Sequence, residues 1–148
     1  MFTMRLTLFI ILFLPVLLLS CGENETVDCE DFDASTCIGI EPESTDVEIL
    51  FTLQNDSDRI PFVLYQGKYE MDGNQPQEIL RDTATLAVYY VRLPFFHDYS
   101  VRAEYRRPSE TVFAVDGDYL KKKDKKVCDT LCWYIYGDLI DVRLKHLD

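Results

Sequence analysis

The chain has 148 residues, 47% of them hydrophobic and 28% charged, and 15 basic against 26 acidic side chains give a formal charge of −11. That length suits one domain of ordinary size. Six glycines and six prolines exclude collagen-like or linker-dominated material, and the acidic balance argues against a nucleic-acid partner, whose phosphates require the opposite sign.

Residues 1–5 contribute Arg5 and the amino terminus, and residues 6–19 are apolar apart from Thr7, with Pro15 inside the run. Such a run is shorter than the roughly 20 apolar residues of a membrane span and suits the hydrophobic region of a secretory signal. Leu18-Leu19-Ser20-Cys21-Gly22 follows. This string resembles the lipobox of bacterial lipoprotein precursors. The resemblance implies that the Cys21 thiol receives a diacylglyceryl group, that the chain is cut between Ser20 and Cys21, and that the new amino group is acylated. Residues 1–20 are then a lipoprotein signal peptide, and acyl chains at Cys21 hold the mature protein on a membrane without crossing it. Gly22 and Glu23 stand where an Asp retains many members of that family at the inner membrane. The expected location is therefore the outer membrane, on its periplasmic face or, given the acidic Glu23-Asn24-Glu25, at the cell surface.

The cysteines agree with this reading. Five is an odd number for a secreted chain. With Cys21 lipidated, Cys29, Cys37, Cys128 and Cys132 form an even set suited to disulfides in an oxidising compartment. Local pairs, Cys29 with Cys37 and Cys128 with Cys132, close short loops worth about 2–3 kcal/mol each. Crossed pairs close loops of about 100 residues, worth about 4–5 kcal/mol, and staple the N-terminal segment to the C-terminal hairpin. The short spacer Asp129-Thr130-Leu131 favours the local pairs. A redox or zinc role for Cys128 and Cys132 lacks both a thioredoxin-like context and the usual ligand spacing.

No Lys or Arg occurs between Arg5 and Arg59, a stretch that holds Glu23, Glu25, Asp28, Glu30, Asp31, Asp33, Glu41, Glu43, Asp46 and Glu48. Residues 21–45 lack apolar periodicity and read as an acidic tether. Asp31 and Asp33 do not complete the spacing of a calcium loop, so no metal site and no cofactor are expected.

From residue 46 the period is two, which predicts a single β domain over residues 46–148. Val47, Ile49, Phe51 and Leu53 alternate with Glu48, Thr52 and Gln54 up to a turn at Asn55-Asp56-Ser57-Asp58. Residues 60–66 make a second strand, followed by a turn at Asp72-Gly73-Asn74. Residues 86–91 read as a strand buried on both faces. Tyr99, Val101, Ala103 and Tyr105 alternate with Ser100, Arg102, Glu104 and Arg106, the pattern of a half-buried antiparallel strand. Residues 110–116 follow, closed by Asp116-Gly117-Asp118. Residues 133–136 and 139–144 form a terminal pair around Gly137-Asp138. About seven strands and no amphipathic helix predict an all-β, antiparallel β-sandwich, immunoglobulin-like or transthyretin-like, with a small barrel as the alternative. In architecture this resembles the small sandwich lipoproteins of Gram-negative envelopes.

Chemistry-bearing motifs are few. His97 precedes Asp98, but a catalytic base and its orienting acid need spatial rather than sequential adjacency, and His146 lies near the end. No nucleophile elbow, phosphate loop or H-E-x-x-H occurs, so no catalytic residue is assigned. Asp82-Thr83-Ala84 and Asp129-Thr130-Leu131 resemble the acceptor triplets of envelope O-glycosylation. The run Lys121-Lys122-Lys123-Asp124-Lys125-Lys126, next to Trp133, is the one dense basic feature. It reads either as a solvated loop or as a patch that grips anionic headgroups, lipopolysaccharide or an acidic partner. Tyr65, Tyr69, Tyr89, Trp133, Tyr134 and Tyr136 fall on or beside strands, where they fill the core or present an aromatic row to a sugar or protein.

These features predict a lipid-anchored envelope lipoprotein that acts as a non-enzymatic binding or accessory module, with an envelope protein or glycan as partner. An envelope hydrolase of glycan or peptide, built around His97, is one alternative. A purely structural subunit of an outer-membrane complex, with a large exposed apolar patch, is another.

Overall fold

The computed structural model describes Cys29, Asp33, Ser35 and residues 37–55, 57–71, 73 and 75–145. The signal segment, Cys21 and His146 lie outside the described residues, as do residues 22–28 and Asp31. Residues 33–148 make one compact unit.

The described residues form eight strands and no α-helix: β1 (Ser44–Leu50), β2 (Ile60–Gln66), β3 (Gln77–Ala84), β4 (Val88–Pro94), β5 (His97–Arg106), β6 (Thr111–Val127), β7 (Thr130–Tyr136) and β8 (Leu139–Asp141). They build two sheets, β4-β1-β8 and β3-β2-β5-β6-β7. The chain is an all-β sandwich, as its alternation predicts.

The alternation decides what lies between the sheets. Val47, Ile49, Leu93 and Ile140 from the three-stranded sheet meet Phe62, Leu64, Val101, Ala103 and Leu120 from the larger one. Phe51 and Phe62 touch across the layer with ring centroids 5.0 Å apart, and Tyr89 meets Phe62 edge-on at the same separation. Burying each such side chain contributes roughly 1.5–3 kcal/mol. β5, the clearest strand of the sequence, is central in its sheet, with Tyr99, Val101, Ala103 and Tyr105 all buried.

Five expectations are corrected. β3 lies outside the expected strands: QEILRDTA has no apolar alternation because it is an edge strand that contributes only Leu80 and Ala84 to the core. β4 is not buried on both faces; it too is an edge, and Leu86 and Tyr90 are exposed. Residues 133–136 and 139–144 form no hairpin. The chain turns at Gly137 (φ +78°) and crosses to the other sheet, where β8 runs parallel to β1, with Ile140 opposite Ile49. Burial of Ile140 and Val142 against that layer stabilises the crossing, whereas a hairpin with β7 would leave them outside.

The fourth correction concerns Asp116-Gly117-Asp118, which is no turn. β6 runs straight through it for 17 residues, pairing Thr111–Leu120 with β5 and Lys121–Val127 with β7. Gly117 lies opposite Ser100, and a Cβ there would stand 2.4 Å from the Tyr99 carbonyl oxygen and 2.9 Å from Ser100 Cα. The glycine serves close backbone approach within the sheet, a recurrent use of glycine in strands.

The fifth is the cysteine pairing. Cys37 is bonded to Cys132 across a sequence separation of 95; Cys29 and Cys128 are disulfide-bonded as well. The local pairs are excluded. Asp129-Thr130-Leu131 is no slack loop: the hairpin turns at Cys128, where φ is 55°, and is already in β7 at Thr130. An extended rise of about 3.3 Å per residue carries Cys132 roughly 10 Å or more from Cys128, beyond the ~7 Å between Cα atoms that a disulfide tolerates. Two disulfides indicate an oxidising, extracytoplasmic compartment. Among the described residues, no helix is long and apolar enough to cross a membrane.

Candidate functional site: a basic and aromatic ribbon

The lysine run is strand, not loop, and this rearranges the predicted patch. Directly opposed residues of an antiparallel pair share a face, and neighbours along a strand do not. The register sets Lys121 against Tyr136, Lys123 against Tyr134 and Lys125 against Cys132, while Lys122 faces Ile135 and Lys126 faces Leu131. Lys121, Lys123 and Lys125 therefore stand on one face with Tyr134 and Tyr136, and Lys122 and Lys126 stand on the other with Trp133.

Lys122 is no part of an open patch. Its side chain is 9% exposed, and its Nζ lies 2.8 Å from Glu41 Oε1 and donates to the Pro42 carbonyl at 2.6 Å. Three rings surround that ammonium: Phe95 and Trp133 at 5.3 Å and Phe96 at 5.8 Å. Phe96 holds a left-handed conformation (φ 66°) in the two-residue connection from β4 to β5, and its N–H donates to the Leu120 carbonyl at 2.7 Å. That bond fixes the connection against β6 and holds the two phenylalanines at the lysine. A cation among aromatic faces and two oxygen acceptors is a strong local tie. It fastens residues 41 and 42, within the predicted tether, to the base of the β6–β7 ribbon. Trp133 adds a second tie, since its N–H donates to the Ile38 carbonyl at 3.0 Å. From Cys37 onward the N-terminal segment is thus stitched along β7.

On the opposite face, Lys121 Nζ and Lys123 Nζ lie 5.9 and 6.0 Å from the Tyr136 ring. Tyr134 and Tyr136 are 40% and 46% exposed. The same face continues along β6 through Tyr119, Gly117, Val115 and Phe113, where Arg102 stacks on Phe113 with 4.9 Å to the ring centroid. Tyr119 escapes the sequence reading because the expected turn at Gly117 ends the strand before it, whereas Phe113 lies inside the expected strand 110–116 with nothing in the sequence to mark it as part of this face. Of the other aromatic candidates, Tyr65 is buried, Tyr89 packs into the core and Tyr69 is half-buried beside Tyr65, 5.2 Å between centroids.

His97 and Asp98 are not brought together. Strand alternation sends them to opposite faces: His97 Nδ1 lies 3.0 Å from Gln66 Nε2, and Asp98 lies 3.8 Å from Lys68 Nζ. Asp33 Oδ1 accepts from the Ser35 N–H at 2.8 Å, and that side chain and backbone hold its carboxyl below the usual range. Among the described residues, no three His, Cys, Asp or Glu side chains converge as metal ligands would.

No protein-family model matches the chain, and neither a curated protein nor a solved structure matches it. The assignment rests on the residues themselves.

Proposed function

We propose that the chain is an envelope lipoprotein, anchored through acyl chains on Cys21 at the outer membrane, that works as a non-enzymatic binding module. The observation that carries the reading is the sorting of the lysine run. In a chain of net charge −11, Lys121, Lys123 and Lys125 share one exposed face with Tyr134 and Tyr136, while Lys122 is spent internally. Three like charges held side by side are unfavourable unless an anionic partner meets them, and tyrosines supply contact area with a polar end. The cysteines support the anchor: Cys29, Cys37, Cys128 and Cys132 are all disulfide-bonded, which leaves Cys21 as the odd thiol of the lipobox-like string. An immunoglobulin-like character of the sandwich belongs to the same reading.

Intact mass of the membrane-extracted protein, before and after reduction, tests the anchor. The expected species is the chain from Cys21 onward plus acyl groups, gaining about four hydrogens on reduction; Cys21→Ala abolishes the acyl increment. An unlipidated chain overturns the anchor. Capture of envelope components by the wild type and by K121E/K123E/K125E tests the face. Unchanged capture by the variant overturns it.

A further inference from the structure

Next to the ribbon, on the same outer face, lies a shallow groove of about 350 Å³. Tyr69 and Tyr119 flank it, and Ser100 and Gly117 form its floor. Gly117 has no side chain to fill it, and the Ser100 hydroxyl is already committed, donating to the Gly67 carbonyl at 2.6 Å. Asp98, Lys68 and Val115 stand on the same face, and Tyr99, Asp116 and Asp118, whose strand positions face the other way, complete the lining.

We infer that this groove and the lysine row form one binding site for an acidic polysaccharide. The inference rests on the binding-module reading above and names the ligand class. The groove offers what a sugar ring uses. Tyrosine faces receive its C–H bonds, the Asp98 carboxylate accepts from its hydroxyls, and the Lys68 ammonium donates to them. Its volume falls near the lower end for small-ligand sites. From Tyr119 the outward positions of β6 are Lys121, Lys123 and Lys125, a row about 13 Å long at strand spacing. Tyr136 and Tyr134 lie beside it. A linear chain seated in the groove extends over these cations, and the net acidic charge of the protein elsewhere directs its anionic groups towards this row. An anionic bilayer fits less well, because Asp98 stands on the same face and the groove is concave.

Affinity electrophoresis of the intact protein tests this, with polygalacturonate, its methyl ester (the same sugars without the charge) and phosphatidylglycerol vesicles as probes. The wild type is expected to bind polygalacturonate at least ten-fold tighter than the methyl ester. K121Q/K123Q/K125Q should erase most of that difference, read as the ratio of the two affinities. Tyr119→Ala should weaken both polysaccharides several-fold, and Tyr119→Phe should restore most of the loss. No binding of polygalacturonate overturns the inference, as does binding indifferent to Tyr119→Ala, which marks a mere cation-exchange surface. If the vesicles alone bind, and do so through the lysines, the glycan inference falls while the binding-face reading stands. Envelope capture unaffected by K121E/K123E/K125E removes that reading itself.

Discussion

Lys122 Nζ lies 2.8 Å from Glu41 Oε1, across 81 positions of the chain, with its side chain nearly closed off from solvent. The lysine is a structural rivet between the N-terminal segment and the ribbon. Lys122→Ala empties the space among Phe95, Phe96 and Trp133 and leaves the Pro42 carbonyl without its donor. A loss of about 2–3 kcal/mol is expected. Lys123→Ala, on the exposed face, should stay within about 0.5 kcal/mol. Urea denaturation of the two variants measures the contrast; equal losses would dissolve the distinction between rivet and patch.

The Tyr105 hydroxyl ties the two sheets together. It donates to the Val142 carbonyl at 2.8 Å and accepts from the Thr52 N–H at 3.2 Å, and both partners lie beyond the ends of strands in the opposite layer. Burial raises its pKa. Tyr105→Phe keeps the ring and strands both backbone groups, at a cost of about 1–2 kcal/mol. Thermal unfolding should register a lower midpoint. No change would mean that water satisfies both groups.

Peptide mapping under non-reducing conditions should yield one species joining the peptides of Cys37 and Cys132. A peptide holding Cys128 bonded to Cys132 would refute the pairing. Removing the bond with Cys37→Ser and Cys132→Ser together is expected to cost about 3 kcal/mol, less than an isolated loop of that length would give, because Cys29 and Cys128 stay disulfide-bonded.

Stability should fall in acid. The Arg143 guanidinium bonds both oxygens of Asp141 at 2.8 Å and holds its carboxyl down to about 2. A carboxylate with a depressed folded-state pKa stabilises the fold above its unfolded value of 3.8, and the gain fades as pH drops from about 4 towards 2. After screening by solvent, the effect is on the order of 1 kcal/mol. Asp46 and Glu78, held low by Arg92 and Arg81, act in the same direction. Denaturation midpoints at pH 6 and pH 2.5 test the assignment, because Asp141→Asn should flatten part of the difference.

The candidate site was half legible. The lysine run and the neighbouring tyrosines stand out in the sequence, but residues 117–127 offer no apolar alternation to mark a strand. A two-stranded ribbon needs none where both faces meet solvent or distant chain. Once the segment is known to be extended, the alternation alone divides Lys121, Lys123 and Lys125 from Lys122. Tyr119 then joins the face as the position before them.

The sequence by itself determined the all-β class, the inward set of β5 and the even group of four cysteines, because period-two burial and residue counts are local or compositional properties. Only the tertiary structure decided which cysteine meets which, that β8 leaves β7 to run parallel to β1, and that Lys122 turns inward to Glu41 while its neighbours face solvent. Those outcomes depend on contacts between residues roughly 80 to 95 positions apart. Their energies come from closing the chain on itself around a shared core, and no local window of sequence contains both partners.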